Sequence, residues 1–230
     1  MRMTPGLIFD MDETLYPERQ FIRSGFRAVA VEVERRFGVP AVAAFDSLLR
    51  TVRRGGRRHA LQALCASFGL PEAAVPELVD VIRRHQPMLH LPRVSVHVLA
   101  RARAEGWRVG ILTNGLPDVQ ARKVRALGLD DLVDAVVYAR EWGSGKGKPE
   151  RESFDVVRAR LDTPPALTVF VGDDPWCDIV GARGAGLHTI LLRRSGVLRS
   201  TTGADRVVTA LDSVLTVAAD LVCREMADAA

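Results

Sequence analysis

The sequence predicts an α/β protein with a doubly wound parallel sheet and an inserted helical module. Short apolar runs recur along the chain without alternating with polar residues, which is typical of strands buried on both faces of a parallel sheet. Helical stretches separate these runs, as in strand–helix–strand units. Residues 17–91 break the rhythm, because they carry helical periodicity and no strand pattern.

Five strands are predicted from the apolar runs. They cover residues 7–9, 109–112, 135–138, 167–171 and 188–192. Between the third and fourth of these strands, Pro149 can begin a helix, and Pro164 and Pro165 can end it. We expect the strands and their intervening helices to form the core domain, over residues 1–16 and 92–230.

Residues 17–91 are predicted to form a helical domain. Apolar side chains recur at helical spacing around 26–37, 60–68 and 75–82. Gly38-Val39-Pro40, Gly55-Gly56 and Gly69-Leu70-Pro71 separate these stretches. This module is therefore inserted after the first strand.

Composition and charge exclude several classes of protein. The chain has 230 residues, 47% hydrophobic and 26% charged, which is ordinary for a globular protein and argues against disorder or a collagen-like fibre. The net charge of +4 is compatible with an anionic substrate and too small to indicate nucleic acid. The three cysteines are scattered, which predicts reduced thiols and a cytoplasmic protein. No apolar stretch is long enough for a signal peptide or a membrane span, so we expect no membrane insertion.

Four polar features follow predicted strand ends. They are Asp10 with Asp12, "LTNG" at 112–115, Lys148 in "GKGKPE", and "VGDDPWCD" at 171–178. Open parallel sheets bind ligands at the carboxyl ends of their strands, so these features are expected to converge on one crevice. Together they supply a nucleophile, a hydroxyl, a cation and several carboxylates.

The four features resemble the motifs of the haloacid dehalogenase (HAD) superfamily, and the resemblance covers nearly the whole chain. That family has a DxDx[TV] motif, a Ser or Thr after strand two, a Lys commonly followed by Pro, and an acidic motif that is often GDxxxxD. The matching residues are Asp10–Thr14, Thr113, Lys148-Pro149 and Gly172–Asp178. The resemblance implies a HAD-like, Rossmann-like core with an α-helical cap domain inserted after the first motif.

The resemblance also implies a Mg²⁺-dependent phosphatase that forms an aspartyl-phosphate from a small phosphorylated metabolite. Asp10 would attack phosphorus, and Asp12 would protonate the leaving alkoxide and then activate water. Thr113 and Lys148 would stabilise the transferring group. The implied Mg²⁺ ligands are Asp10, the backbone carbonyl of Asp12, Asp173 and Asp178.

Five further residues are candidates for binding the phosphate or the substrate. Asn114 and Gly115 belong to the second motif, although Asn-Gly alone more often marks a turn. Tyr16, Arg19 and Arg23 lie just after the first strand, where caps of the family enter the site.

Several alternatives stay open. A phosphomutase would keep the same catalytic residues, so the sequence does not exclude it. A 2-haloacid dehalogenase is disfavoured, because the family dehalogenases lack an acid at the position of Asp12. A non-catalytic binding protein is disfavoured because the motifs are intact. The substrate is predicted to be a sugar phosphate, a nucleotide or a biosynthetic intermediate, and the protein a monomer or homodimer.

Some residues have two interpretations. Lys146 competes with Lys148 for the third motif, and the basic run 50–58 is either a solvated loop or an edge that recognises an anionic substrate. Cys177 has no neighbouring His in the sequence to activate it, so a packing or loop role is predicted for it. Trp176 either lines a pocket or packs.

Overall fold

The computed structural model describes residues 4–193 and 203–228. The chain divides into two compact units, which we call the core unit (1–17 and 90–230) and the helical unit (18–89). These bounds lie one and two residues from the domain boundaries expected from the sequence. Among the described residues, no helix combines the length and the apolar character needed to cross a bilayer.

The core unit contains a sheet of six parallel strands in the order β3-β2-β1-β4-β5-β6. Their bounds are β1 Gly6–Phe9, β2 Arg108–Thr113, β3 Ala135–Tyr138, β4 Thr168–Gly172, β5 His188–Leu192 and β6 Arg206–Val208. All four residues of β1 are buried, because the strand lies between β2 and β4 and both faces of the sheet are covered. The predicted α/β fold is confirmed.

Nine α-helices lie in the described part of the chain. They are α1 Arg19–Phe37, α2 Ala41–Arg53, α3 Ala60–Phe68, α4 Val75–Arg84, α5 Arg93–Ala104, α6 Pro117–Leu127, α7 Arg151–Leu161, α8 Gly181–Gly184 and α9 Val214–Asp228. Helix α7 begins two residues after Pro149, because the backbone of Glu150 is extended, with ψ 131°. The peptide bond between Lys148 and Pro149 is cis.

The helical unit is a bundle of α1 to α4 around its own apolar core. Buried side chains from all four helices meet there, including Val33 of α1, Leu48 of α2, Leu64 of α3 and Leu78 of α4. Helix α2 was not predicted as a separate helix, although it buries Ala44 and Leu48 at helical spacing. The unit therefore encloses a hydrophobic core without any residue of the sheet.

Candidate active site

The site lies at the carboxyl ends of the central strands of the core unit. Asp10 directly follows β1, and its backbone N–H donates to the carbonyl oxygen of Val171 on β4, at 2.8 Å. The side chain of Asp10 is buried. The parallel ladder thus continues one residue beyond the strand and holds the carboxylate at the sheet edge, where ligands bind in open α/β sheets.

Lys148 connects the ends of β1 and β2 to the segment after β4 through its ammonium group. Its Nζ donates to Asp10 Oδ1 at 2.6 Å, to Asp178 Oδ1 at 2.7 Å and to the carbonyl oxygen of Leu112 at 3.1 Å. An ammonium group has three hydrogens to donate, so these three acceptors match its full capacity. Lys146, the alternative for this position, is exposed.

Asn114 holds the backbone of Lys148 through both ends of its side-chain amide. Its Nδ2 donates to the Lys148 carbonyl oxygen at 3.1 Å, and its Oδ1 accepts from the Lys148 backbone N–H at 2.8 Å. A Cβ on Gly147, which has φ +81°, would collide with Asn114 Oδ1. In the structure, then, Asn114 positions the lysine of the third motif, a contact that the sequence did not predict.

Asp178 organises the loop after β4 through its second oxygen. Its Oδ2 accepts the backbone N–H groups of Asp173 at 3.1 Å and Asp174 at 3.0 Å. Asp174 in turn caps the π-helical turn Pro175–Val180, accepting from the backbone N–H of Trp176 at 2.8 Å. The carboxylate of Asp174 is therefore used as a helix cap.

Three carboxylates of this cluster can approach a common cation. Asp10, Asp173 and Asp178 each present an oxygen within 4.8 Å of the others. The cluster contains three acids and one positively charged group, the ammonium of Lys148. When all three acids are ionised, two negative charges remain beyond that of Lys148, and with the all-oxygen donor set they fit a divalent cation such as Mg²⁺.

Burial and crowding shift the pKa values of the cluster. Burial raises the pKa of Asp10 well above its usual range, although Lys148 opposes the shift. Burial alone would lower the pKa of Lys148, but the adjacent carboxylates of Asp10 and Asp178 outweigh it and the pKa is raised. Burial, with the charge of Asp178, raises the pKa of Asp173 to about 7. The two acids are thus shifted mainly by burial and by neighbouring negative charge, and perturbed groups of this kind are frequent in functional sites.

Asp12 has its own set of partners, separate from that of Asp10. The Tyr16 hydroxyl donates to Oδ1 at 2.6 Å, and the Gln120 amide donates to Oδ2 at 2.8 Å. The Lys123 ammonium lies 2.8 Å from Oδ1 and 2.9 Å from Oδ2. Tyr16, a predicted substrate-binding residue, is fully buried and contacts Asp12.

Gln120 and Lys123 were missed by the sequence analysis. Both lie on the buried face of α6, which they share with Val124 and Leu127. The signal was present: two polar residues occupy positions of an otherwise apolar helical face directly after the second motif, and such residues need polar partners inside the protein.

Thr113 is the last residue of β2, and its side chain is almost completely buried. Its Oγ1 accepts from Gln120 Nε2 at 2.6 Å. Gly115 has φ +121°, and a Cβ there would lie 3.1 Å from Gln120 Cδ. The glycine of the second motif therefore leaves room for the Gln120 side chain.

Arg19 and Arg23 lie on α1 of the helical unit, where both are exposed. The guanidinium of Arg23 lies over the Phe45 ring, 5.8 Å from its centroid. Their role in substrate binding stays a prediction. In the basic run, Arg57 forms an ion pair with Glu18 through two contacts of 2.9 and 3.0 Å.

A cavity of about 180 Å³ lies inside the helical unit. It is lined by Phe21, Ile22, Phe26, Arg57, Arg58, Ala60, Leu61 and Ile82. Its walls are mainly apolar, and the two arginines are its charged groups. Arg57 and Arg58 of the basic run thus border a cavity, and they are exposed like Arg53 and Arg54.

Two residues of the fourth motif have properties that limit their chemistry. Burial raises the pKa of the Cys177 thiol to about 11, which keeps it protonated and poorly nucleophilic at neutral pH. The Trp176 side chain is 63% exposed, so it does not pack in the core of the unit.

Gly172→Ala is expected to destabilise the protein by about 2 kcal/mol, because a Cβ at Gly172 would collide with the Asp178 side chain and lie only 2.6 Å from its Cβ. Urea unfolding measures the change. Gly184→Ala is the matched control, since a Cβ there meets nothing within 4 Å. Equal unfolding midpoints for the two variants would contradict the prediction.

Comparison with known proteins agrees with this geometry. A family model described as haloacid dehalogenase-like hydrolase matches residues 4–186. The chain is 30% identical to ribulose-1,5-bisphosphate 5-phosphatase of Halopiger xanaduensis, over 90% of this chain and 92% of the relative. It is 28% identical to glyceraldehyde 3-phosphate phosphatase of Methanocaldococcus jannaschii, over 82% and 84%. A crystal structure of a putative β-phosphoglucomutase from Thermotoga maritima shares the fold with a TM-score of 0.69 at 20% identity, covering 94% of this chain and 99% of that one.

Proposed function

This chain belongs to the haloacid dehalogenase-like hydrolases and is a phosphatase of phosphomonoesters, and we propose that it hydrolyses a small sugar phosphate through an aspartyl-phosphate on Asp10. The observation that carries the mechanism is the separation of two acids. Asp10 shares Lys148 with Asp178, whereas Asp12 is held by Lys123. Two carboxylates in different environments can carry out different chemistry.

In the first step a carboxylate oxygen of Asp10 attacks phosphorus, and the bond from phosphorus to the ester oxygen breaks. Asp12 gives its proton to the departing oxygen, so the organic product leaves as an alcohol. Lys148 donates hydrogen bonds close to the developing charge, and the Thr113 hydroxyl can donate to a phosphoryl oxygen. The covalent intermediate divides one difficult displacement into two easier ones.

In the second step a water molecule attacks phosphorus of the aspartyl-phosphate. Asp12, now ionised, takes a proton from this water, and the bond from phosphorus to Asp10 breaks. Phosphate leaves, and both acids return to their starting states. Lys123 and Tyr16 hold the carboxylate of Asp12 between the two steps through contacts of 2.6 to 2.9 Å.

Asp10, Asp173, Asp178 and the Asp12 carbonyl are the proposed ligands of Mg²⁺. When bound, Mg²⁺ would neutralise the repulsion between the attacking carboxylate and the phosphoryl oxygens. Two observations support this assignment: the 4.8 Å cluster of carboxylate oxygens and its excess of two negative charges over Lys148.

Mg²⁺ affinity is expected to fall as the pH falls below 7. The pKa of Asp173 is raised to about 7, and the cation binds the ionised carboxylate, so at lower pH a proton must leave first. The apparent affinity should drop by about tenfold or more per pH unit below this value, because Asp10, another proposed ligand with a raised pKa, also has to lose a proton. Calorimetry near pH 6 and near pH 8 measures the change, and equal affinities at both would contradict the prediction.

The substrate class and the metal dependence are tested together by phosphate release from a panel of sugar phosphates, nucleotides and amino-acid phosphates. Two of the relatives are named as phosphatases of phosphorylated sugars, which favours sugar phosphates as the substrates of this chain. We expect turnover with Mg²⁺ and none after chelation. Preference for nucleoside monophosphates would overturn the substrate class, and isomerised sugar phosphate without phosphate release would overturn hydrolysis.

We further propose that the helical unit is the cap that selects the organic group of the substrate, with Arg19 and Arg23 as its first candidates. A cap that covers the substrate would exclude bulk water while admitting the water needed for the second step. The cytoplasmic location and the monomeric or homodimeric state also stay predictions.

A further inference from the structure

We propose that Gln120 is a positioning residue that presets the Thr113 hydroxyl as a phosphate donor and orients the Asp12 carboxylate. This inference rests on the proposed phosphatase mechanism, in which both groups act. Gln120 lies on α6 and is 2% exposed. Its Nε2 donates to Thr113 Oγ1 at 2.6 Å and to Asp12 Oδ2 at 2.8 Å, so one amide group connects the two.

The contact with Thr113 determines which way the hydroxyl hydrogen can point. A threonine hydroxyl has one hydrogen to donate and oxygen lone pairs to accept. Because Gln120 Nε2 can only donate, Oγ1 must accept there, and the hydroxyl hydrogen is directed elsewhere. In the described structure it reaches the Asn114 carbonyl oxygen at 3.5 Å, a long contact that a phosphoryl oxygen can replace.

The contact with Asp12 complements those of its other partners. Tyr16 binds Oδ1 and Lys123 binds both oxygens, whereas Gln120 binds Oδ2. Donors on both oxygens hold the carboxylate plane in one orientation. Since the same nitrogen donates to Thr113, the phosphate donor and the proton carrier are placed relative to each other by one side chain.

The backbone of the second motif accommodates this side chain. Gly115 has φ +121°, and an added Cβ would lie 3.1 to 3.3 Å from three atoms of Gln120. The positive φ favours glycine, and the approach is tighter than a side chain at residue 115 would allow without displacing Gln120. The turn therefore permits the Gln120 amide to reach both partners.

Gln120→Met tests the inference, because methionine has a similar size and no donor. We expect kcat for phosphate release to fall about 100-fold, the scale of loss when reacting groups are slightly misplaced. KM should change less than kcat, since most of the substrate contacts remain. Gln62→Met, on an exposed position of α3, is the control and should match wild type.

A double-mutant cycle with Thr113→Val separates positioning from a general loss of stability. If Gln120 acts through Thr113, Gln120→Met should cost clearly less in the Thr113→Val background than in wild type. Gln120→Leu repeats the test should the methionine variant not fold. Equal costs in both backgrounds, or kcat within threefold of wild type, would overturn the inference while leaving the phosphatase intact. Wild-type protein that releases no phosphate from any phosphomonoester with Mg²⁺ would instead overturn the proposed function.

Discussion

Asp10→Asn is expected to lower phosphate release by at least ~10⁴-fold, because an amide oxygen does not replace a carboxylate as the attacking group. The substitution keeps the shape of the side chain and removes one of the carboxylates crowded around Lys148. Lys148 keeps its hydrogen bonds to Asp178 and to the Leu112 carbonyl oxygen in this variant, so its ammonium is not left without acceptors. The fold and the thermal midpoint should therefore be preserved while turnover is lost.

The measurement is phosphate release at saturating substrate and Mg²⁺, together with thermal unfolding. Asp118→Asn is the matched control, since Asp118 is an exposed acid at the start of α6 in the same unit. The control should keep wild-type activity. An Asp10→Asn enzyme that keeps a tenth of wild-type activity would refute the assignment of the nucleophile.

Lys148→Met is expected to reduce kcat at least ~100-fold, because a cation aimed at transition-state charge is removed. It also leaves the carboxylates of Asp10 and Asp178 without their shared ammonium, which lies 2.6 and 2.7 Å away. Breaking a buried ion pair on one side costs about 3 kcal/mol or more. The metal-free variant should be destabilised at neutral pH and less so at acidic pH, where the carboxyl groups take up protons.

Lys146→Met is the control, since Lys146 is exposed and lies two residues away. It should keep both activity and stability. Urea unfolding at two pH values and phosphate release measure the two effects. Near-normal turnover in Lys148→Met, with loss in Lys146→Met, would move the role of the third motif to Lys146.

Much of the fold was predictable because its signals are local. The strands of a buried parallel sheet are short apolar runs, and five of the six were predicted with ends within one residue of those in the structure. Strand β6 was missed because it has three residues and begins with Arg206, which leaves only Val207 and Val208 as its apolar run. Helix α2 was also missed, although Ala44 and Leu48 are buried and Phe45, Leu49 and Val52 pack against the same core.

The site was predictable where a motif specifies residue types at fixed spacing. Asp10, Asp12, Thr113 and Lys148 were selected in this way, and each lies in a hydrogen-bond network at the carboxyl ends of the strands. The partners of Asp12 on α6 were not selected. They lie 108 and 111 residues away in the chain, so their pairing depends on how α6 packs.

The sequence by itself determined the alternation of strands and helices, the inserted helical segment and the acids that follow the first and fourth strands. These are properties of neighbouring residues, expressed through hydrophobic periodicity and motif spacing. Only the tertiary structure decided that Lys148 joins Asp10 to Asp178, that Asn114 holds the lysine backbone and that Gln120 joins Thr113 to Asp12. A hydrogen bond requires its donor and acceptor to lie about 3 Å apart with suitable direction, and packing of distant segments sets that distance.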